Sequence, residues 1–359
     1  MFATITVQQA LQHKEAIFID TRTPQEFAED CLPNAINIPI FSDDERAMVG
    51  TIYKQISREK AIEKGIEFFS QKLPDFMNKI NTLIEKWIEK GNKKEENKTE
   101  NNKKDKELII YCWRGGMRSK SVTALLDSLG YNVKQLEGGH KEYRAYVRER
   151  LQNYQLKAKL VVLWGLTCTG KTELIHQLPC SIDLEGLAQH RGSLYGAIGL
   201  QPRSQKKFEN LFLQELEKLN DKEYILVEGE SRKIGDVQIP AFFYKAMLNG
   251  KHILITQSIE KRAEAAVKEY FGEKNVAEIK KVTEKLWKVI GKQRKEEVLQ
   301  LLETGKFVEA ARILLEFYYD PLYSHTLKKM QFVGEVRNES VEEGVKGIQE
   351  ILTNFGIPL

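Results

Sequence analysis

The sequence has little of what an exported, metal-bound or membrane-spanning protein needs. Only four cysteines, Cys31, Cys112, Cys168 and Cys180, occur in 359 residues, and none stands in a CxxC or Cys/His spacing. That argues against a disulfide framework and against a metal site of ordinary spacing. No apolar run is long enough to cross a bilayer, and the opening MFATITVQQALQHKEAIFID lacks the basic-then-apolar order of a signal peptide. A cytoplasmic chain with no membrane association is therefore expected. An excess of either charge is also missing: 55 Lys and Arg against 51 Asp and Glu leave a net +4. A polyanionic partner is permitted by that balance but not demanded. One stretch, Lys90 to Glu107 (KGNKKEENKTENNKKDKE), has almost no apolar residue and nearly balanced charge. It cannot offset the entropy of ordering and is expected to be a mobile, charged surface loop.

What is present is an α/β pattern sized for two domains. AIFIDTR (16–22) reads as a short buried strand, followed by a helix that Thr23 caps and Pro24 begins. AINIPI (35–40), LIIYC (108–112) and VKQLEGG (133–139) continue the alternation of strands with helices, which predicts a mostly parallel sheet. In such sheets active loops lie at the carboxyl ends of strands, where Asp20 and Cys112 both fall. Asp20 is either a catalytic acid or an aspartate that bonds its own turn or pairs with Arg22. The sequence leaves both open.

The chain is organised around Leu108 to Ser119, LIIYCWRGGMRS. An apolar strand delivers Cys112 to a loop rich in glycine and arginine, and SKSVTALLDSLG reads as a helix with Val122, Leu125, Leu126 and Leu129 on one face. Backbone N–H groups at a helix N-terminus, together with Arg114 and Arg118, favour negative charge beside the sulfur. The expected chemistry is a thiolate that accepts or attacks an anionic group, with Cys112, Arg114 and Arg118 as catalytic candidates.

A basic helical stretch, His140 to Lys159, leads to a second motif. Leu160 to Trp164 form an apolar strand, Gly165 to Thr172 (GLTCTGKT) fit G-x-x-x-x-G-K-[ST], and a helix follows. That context is what a P-loop requires. Gly165, Thr169, Gly170, Lys171 and Thr172 are the expected phosphate-binding residues, and Thr172 is a candidate Mg²⁺ ligand if a nucleotide-like ligand brings the ion. Cys168 stands where such loops often have glycine and is expected to carry backbone strain if its φ is positive. Asp183, Glu185, His190, Arg191 and Ser193 follow another strand-to-loop segment. Glu228, Glu230 and Arg232 cluster at the end of EYILVEGES, where a metal-orienting acid is usual. These eight are candidate lining of one site. Lys280 to Arg294, basic with Trp287 interleaved, suits either a phosphate backbone or a solvated face.

IDTRTPQEFAE, LPNAINIP, the cysteine loop and LEGGHKEYR, in this order, resemble a rhodanese (sulfurtransferase) domain, in which the loop cysteine carries a chalcogen as a persulfide-type intermediate. Cys112 to Arg118 is a Cys-x5-Arg span, one residue longer than the loop of thiosulfate sulfurtransferases. That spacing is also similar to cysteine-dependent phosphatases, although Tyr111 stands where those usually carry histidine. With DDERAMVGTIYKQ, GLTCTGKT, DLEGLAQHRGS, VEGESRKIG and YDPLY, nearly the whole chain outside the charged loop resembles the tRNA 2-selenouridine synthase family.

The resemblance implies a rhodanese-like domain over 1–145, a linker helix over 146–158 and a P-loop NTPase-like parallel-sheet domain over 159–359. It also implies a transferase that modifies tRNA in the anticodon region. Such enzymes geranylate the sulfur of wobble 2-thiouridine from geranyl diphosphate and then replace the S-geranyl group with selenium from selenophosphate. No tightly bound cofactor is implied, and selenophosphate synthetase is a candidate protein partner. Two rival readings remain on the sequence: an ATP-dependent kinase or ATPase fused to a regulatory rhodanese, and a non-enzymatic sulfur carrier.

Overall fold

The computed structural model describes residues 2–92, 106–271 and 275–356. It divides into two compact units, Met1–Glu149 and Arg150–Leu359. Among the described residues no helix is long and apolar enough to cross a membrane.

The first unit is a five-stranded sheet in the order β1 (Ala3–Ile5), β5 (Val133–Leu136), β4 (Leu108–Tyr111), β2 (Ile17–Asp20), β3 (Ile36–Asn37). Every neighbouring pair is parallel. Its central strands are continuous apolar runs because helices cover both faces of such a sheet. The helices are α1 (Val7–Gln12), α2 (Pro24–Glu29), α3 (Asp43–Gln55), α4 (Arg58–Asn92), α5 (Met117–Ser128) and α6 (Gly139–Gln152). Local sequence fixes three of their starts through reciprocal capping boxes: Thr6 with Gln9, Thr23 with Glu26, and Ser42 with Glu45. One core cluster joins Ile17, Ile19, Leu108 and Ile110 of the sheet to Phe76, Ile80 and Ile84 of α4 and to Val122 and Leu126 of α5.

Three boundaries differ from the sequence reading. The α5 face keeps Val122 and Leu126 buried, but Leu129 lies beyond the helix and is 44% exposed. The basic helix ends at Gln152, not Lys159, because Asn220 takes over the backbone that follows. Its Oδ1 accepts from Lys157 N (2.9 Å) and its Nδ2 donates to Gln155 O (3.0 Å), in a segment that is not helical. The charged stretch is ordered at both ends: α4 runs through Asn92, and Glu107 pairs with His13 and Lys134, both at 2.5 Å. The expected mobile loop otherwise falls on residues 93–105, outside the described residues.

The second unit contains another all-parallel sheet, ordered β12 (Phe332–Arg337), β11 (Lys251–Thr256), β6 (Lys159–Trp164), β8 (Tyr224–Glu228), β7 (Ser181–Ile182). A two-stranded antiparallel ribbon, β9 (Lys233–Ile234) and β10 (Val237–Gln238), follows β8. Strand β6 is central, with β8 on one side and β11 on the other. Its carboxyl end is thus the crevice where ligands bind in open α/β sheets. Helices α7 (Lys171–Gln177), α8 (Leu184–Ala188), α9 (Gln205–Leu219), α10 (Ala241–Leu248) and α11 (Ile259–Glu269) alternate with the strands. A helical subassembly comes next: α12 (Val276–Thr283), α13 (Trp287–Ile290), α14 (Lys292–Glu303), α15 (Phe307–Leu314), a π-helical turn (Leu315–Tyr319) and α16 (Asp320–Leu327). After β12, α17 (Val341–Asn354) returns to pack its Ile348 and Leu352 with Leu174 and Ile175 of α7.

Candidate functional site

Two strand ends carry the chemistry-bearing residues. In the first unit Cys112 follows β4 and is 2% exposed. Its loop is held by backbone contacts from the GGH segment at the start of α6. His140 N donates to Cys112 O (2.8 Å) and Lys141 N to Trp113 O (2.9 Å). The close approach needs glycine, since a Cβ on Gly139 would lie 2.3 Å from Cys112 O and 2.6 Å from Gly115 N. Gly115 itself sits at φ +63, in the left-handed region.

The sulfur has a polar neighbour that sequence reasoning missed. Ser119 Oγ, fully buried, lies 3.1 Å from Cys112 Sγ. Gln135 of β5 donates from Nε2 to both Ser119 Oγ and Gly115 O, each at 2.8 Å, tying the loop to the sheet. The arginines do not converge on the sulfur in the expected way. Arg114 is exposed, and Arg118 donates from both Nη atoms to the Glu26 carboxylate (2.7 and 3.2 Å). Glu26 is partly desolvated, but Arg118 and Thr23 N–H hold its carboxyl below the usual range. Asp20 takes the structural option. Its Oδ1 accepts from Arg22 N (2.9 Å), and the Arg22 side chain grips both of its oxygens in the core. Tyr111 stands where phosphatases carry histidine, and its hydroxyl is turned to Leu32, accepting from Leu32 N at 3.2 Å. The buried histidine of this unit, His140, sits at the start of α6. Its Nε2 is 3.1 Å from Asp30 Oδ2 and its pKa is pushed down by burial.

In the second unit the P-loop joins β6 to α7 at the crevice of the sheet. Gly170 occupies the N-cap of α7 at φ +81, and a Cβ there would meet Asn338 Nδ2 at 2.3 Å. Gly165 admits Ile255 O, which would lie 2.4 Å from a Cβ. Cys168 does have positive φ, +61, so it carries the strain the sequence anticipated, about 1–2 kcal/mol. It is buried among Tyr195, Tyr270 and Tyr319, and burial pushes its thiol pKa up, away from nucleophilic use. Thr169 Oγ1 donates to Leu166 O (3.0 Å), and Lys171 Nζ reaches Gly165 O (3.1 Å) and Leu166 O (3.2 Å) across the loop.

Three supports of this loop were not legible as such. Asn338 Nδ2 donates to Thr169 O (2.8 Å) from the end of β12. Arg262 of α11, 3% exposed, donates from Nε to Thr167 O (2.8 Å) and pairs with both oxygens of Asp320. Asp320 belongs to the YDPLY segment, so that motif acts on the P-loop through Arg262.

One cavity gathers Gly170, Lys171 and Thr172 with Glu185, Arg191 and Glu230, and adds Glu269, Tyr270 and Tyr323. Thr172 Oγ1 lies 3.4 Å from Glu185 Oε2. The other five expected lining residues stand outside it. Asp183 caps α8 through Gly186 N (2.6 Å) and meets His176 Nε2 (2.7 Å). His190 Nδ1 accepts from Gly192 N (3.1 Å), and Ser193 Oγ pairs with Tyr319 Oη (3.1 Å). Glu228 is fully buried, with Oε1 accepting from Glu185 N (2.8 Å) and Oε2 without a partner among the described residues. Arg232 is exposed. Burial pushes the carboxyls of Glu185, Glu228, Glu230 and Glu269 upward; repulsion among Asp183, Glu185 and Glu230 adds to this at Glu185 and Glu228, while Lys171 opposes it at Glu230. The cavity therefore sets cationic groups, Lys171 and Arg191, beside carboxyls whose pKa burial raises. That suits an anionic ligand with several oxygens.

Residues 5–146 match the rhodanese-like domain family, and residues 158–349 match the family described as tRNA 2-selenouridine synthase AAA domain. A tRNA 2-selenouridine synthase of Shewanella frigidimarina is 30% identical over 343 residues, covering 87% of this chain and 89% of the relative. One from Pseudomonas syringae pv. tomato is 30% identical, covering 91% and 93%. Among solved structures, the N-terminal domain of a putative ATP/GTP binding protein from Clostridium difficile 630 is 41% identical, covering 40% of this chain and 98% of that one, with a TM-score of 0.33. The chain has its cysteine loop on one parallel sheet and its P-loop on another, each within one of the two matched families, and with these synthases similar over most of its length it belongs to the tRNA 2-selenouridine synthase family.

Proposed function

We propose that this chain is a tRNA-modifying transferase that makes 2-selenouridine from wobble 2-thiouridine in two steps, S-geranylation and then exchange for selenium. The observation that carries the reading is the second-unit cavity. P-loop residues 167–172, with Lys171 and Thr172, line one space with Arg191, a set that supports a diphosphate reading, and Cys112 stands in a loop of the other unit. In the first step the thiocarbonyl sulfur attacks C1 of geranyl diphosphate. The C–O bond breaks, diphosphate leaves with its charge on Lys171 and Arg191, and the uracil N3 proton is lost. In the second step the selenium of selenophosphate attacks C2 of the base and geranyl thiolate leaves. Water then cleaves the Se–P bond, releasing phosphate. Cys112, with Ser119 at its sulfur, positions the donor in that exchange, and Arg114 at the loop surface draws in its phosphate. Mg²⁺ fits as a companion of the diphosphate. The chain supplies two hard oxygens, Thr172 Oγ1 and Glu185 Oε2, and the remaining ligands of an octahedral ion would be diphosphate oxygens and water.

The test is nucleoside mass spectrometry of thiolated tRNA incubated with the protein, geranyl diphosphate and selenophosphate. Geranylated and selenated uridine are expected, with loss of selenation but not geranylation in Cys112→Ala and weakened geranyl diphosphate binding in Lys171→Ala. Nucleotide hydrolysis without either modified nucleoside would favour a kinase or ATPase, and a persulfide on Cys112 with no modified nucleoside would favour a sulfur carrier.

A further inference from the structure

Positive charge is concentrated in one short segment of the second unit. Residues 276–295, VAEIKKVTEKLWKVIGKQRK, hold seven lysines and arginines against two glutamates. That net of five exceeds the +4 of the whole chain, so everything outside the segment is net negative. The fold gives the segment two faces. Ile279, Thr283, Leu286 and Ile290, spaced four, three and four apart, are at most 3% exposed, and the three apolar ones belong to the cluster that also holds Cys168 of the P-loop and Tyr270 of the cavity. The opposite face carries Lys281, Lys285, Lys288, Lys292 and Arg294, all exposed. Of the seven cations only Lys280 forms an ion pair among the described residues, with Glu303 (3.1 Å).

Aromatic rings sit among these cations at the surface. Trp287 is 44% exposed with Lys288 Nζ 5.4 Å from its ring, and Phe317, 39% exposed, lies 3.8 Å under Arg294. A soluble face does not need an open indole, and an indole costs apolar area left in water. A single-stranded nucleic acid uses both features: its phosphates neutralise the lysines and its bases stack on the ring.

We propose that the outer face of α12–α14 is the surface on which the RNA substrate docks, with its backbone along Lys281, Lys285, Lys288 and Lys292 and an unstacked base against Trp287. This rests on the reading of the substrate as tRNA. The inner side of the same helices belongs to the core cluster that includes Cys168 of the P-loop, so the docking surface and the diphosphate site share one core.

The test is filter binding of the full chain to an in vitro transcribed tRNA over a range of KCl. Each phosphate contact contributes about 0.7–0.9 to the slope of log K against log salt, or about sixfold in affinity at 0.1 M. Neutralising Lys281, Lys285, Lys288 and Lys292 to alanine is expected to lower the slope by about 1.5 to 3 and affinity by about 40-fold to 10³-fold at 0.1 M, depending on whether two or all four make contact. Trp287→Ala is expected to weaken binding about 5- to 100-fold with the slope unchanged, because stacking releases no counterions, and Trp287→Phe should restore most of it. Neutralising Lys54, Lys60, Lys79 and Lys86 of the first unit is the charge-matched control, and circular dichroism checks the fold of each variant. If the α12–α14 variant binds like the native chain, or no worse than the control, the proposed surface is wrong. If the native chain itself fails to bind tRNA, the reading of the substrate falls first and this surface with it.

Discussion

Replacing Gly139 by alanine puts a methyl group where the cysteine loop already stands. The new Cβ would lie 2.3 Å from Cys112 O, 2.6 Å from Gly115 N and 3.1 Å from Arg114 N, all backbone atoms that cannot rotate away. The residue also sits at φ +58, which costs an L-amino acid about 1–2 kcal/mol. Relief requires the loop to move away from α6, which overpacks its surroundings and lengthens the His140 N to Cys112 O and Lys141 N to Trp113 O bonds. Together these amount to about 3–5 kcal/mol. For a unit of this size that is a drop of about 10 °C in its melting transition. Gly116 in the same loop is the control. A Cβ there meets nothing within 4 Å and its φ of −87 suits any residue, so Gly116→Ala should stay within about 0.5 kcal/mol. Calorimetry of both variants, with hydrogen exchange over 108–116, makes the comparison. Equal melting transitions and equal exchange would refute the claim that α6 sets the shape of the cysteine loop.

The Glu26–Arg118 pair gives the first unit a pH dependence. The Glu26 carboxyl is held below its unfolded value, so its contribution is complete above the usual carboxylate range and disappears as pH falls through the lowered folded value. Denaturation midpoints of the native chain and Glu26→Gln should converge in acid and separate above it; parallel curves would count against the pair. Glu228→Gln should raise the melting transition of the second unit at neutral pH, by about 2–4 °C per kcal/mol relieved, because burial makes the charged form costly, and the gain should vanish in acid. A lower neutral-pH transition would mean that the charge is needed where it lies. Iodoacetamide at pH 8 should label the half-buried Cys31 and Cys180 well before Cys168, whose thiol is buried and resists ionisation. Peptide mass spectrometry reads the order, and early labelling of Cys168 would contradict its packing role.

Local signals read cleanly wherever one short segment decided its own structure. Thr23 and Pro24 start α2, Gly170 turns the P-loop, and LIIY is a buried strand ending at Cys112. The strain at Cys168 was legible for the same reason, since a cysteine in a glycine position declares its φ. What could not be read was which polar group meets which across the sheet. Arg118 looked like an anion-binding residue because it lies six residues after a cysteine, yet the Glu26 that takes it lies 92 residues away. Asn338 and Arg262 reach the P-loop from 169 and 95 residues along the chain. Asp183, His190 and Ser193 were polar and close to the loop in sequence, but a helix cap uses Asp183, a turn bond His190, and Tyr319 takes Ser193. Spacing predicts contacts within an element, whereas these contacts depend on strand order.

Strand order also bears on how the chain avoids sticking to its own copies. An exposed sheet edge offers unpaired N–H and C=O groups to any passing strand, and aggregation begins there. Three of the four edges of the parallel sheets are β1, β3 and β7, of three, two and two residues, too short to template a stable ladder. The fourth, β12, has six residues but sets the charges of Glu335 and Arg337 along its exposed end. Shortness guards three edges and charge the fourth, so most of the backbone that could recruit another chain is already spent inside the sheets.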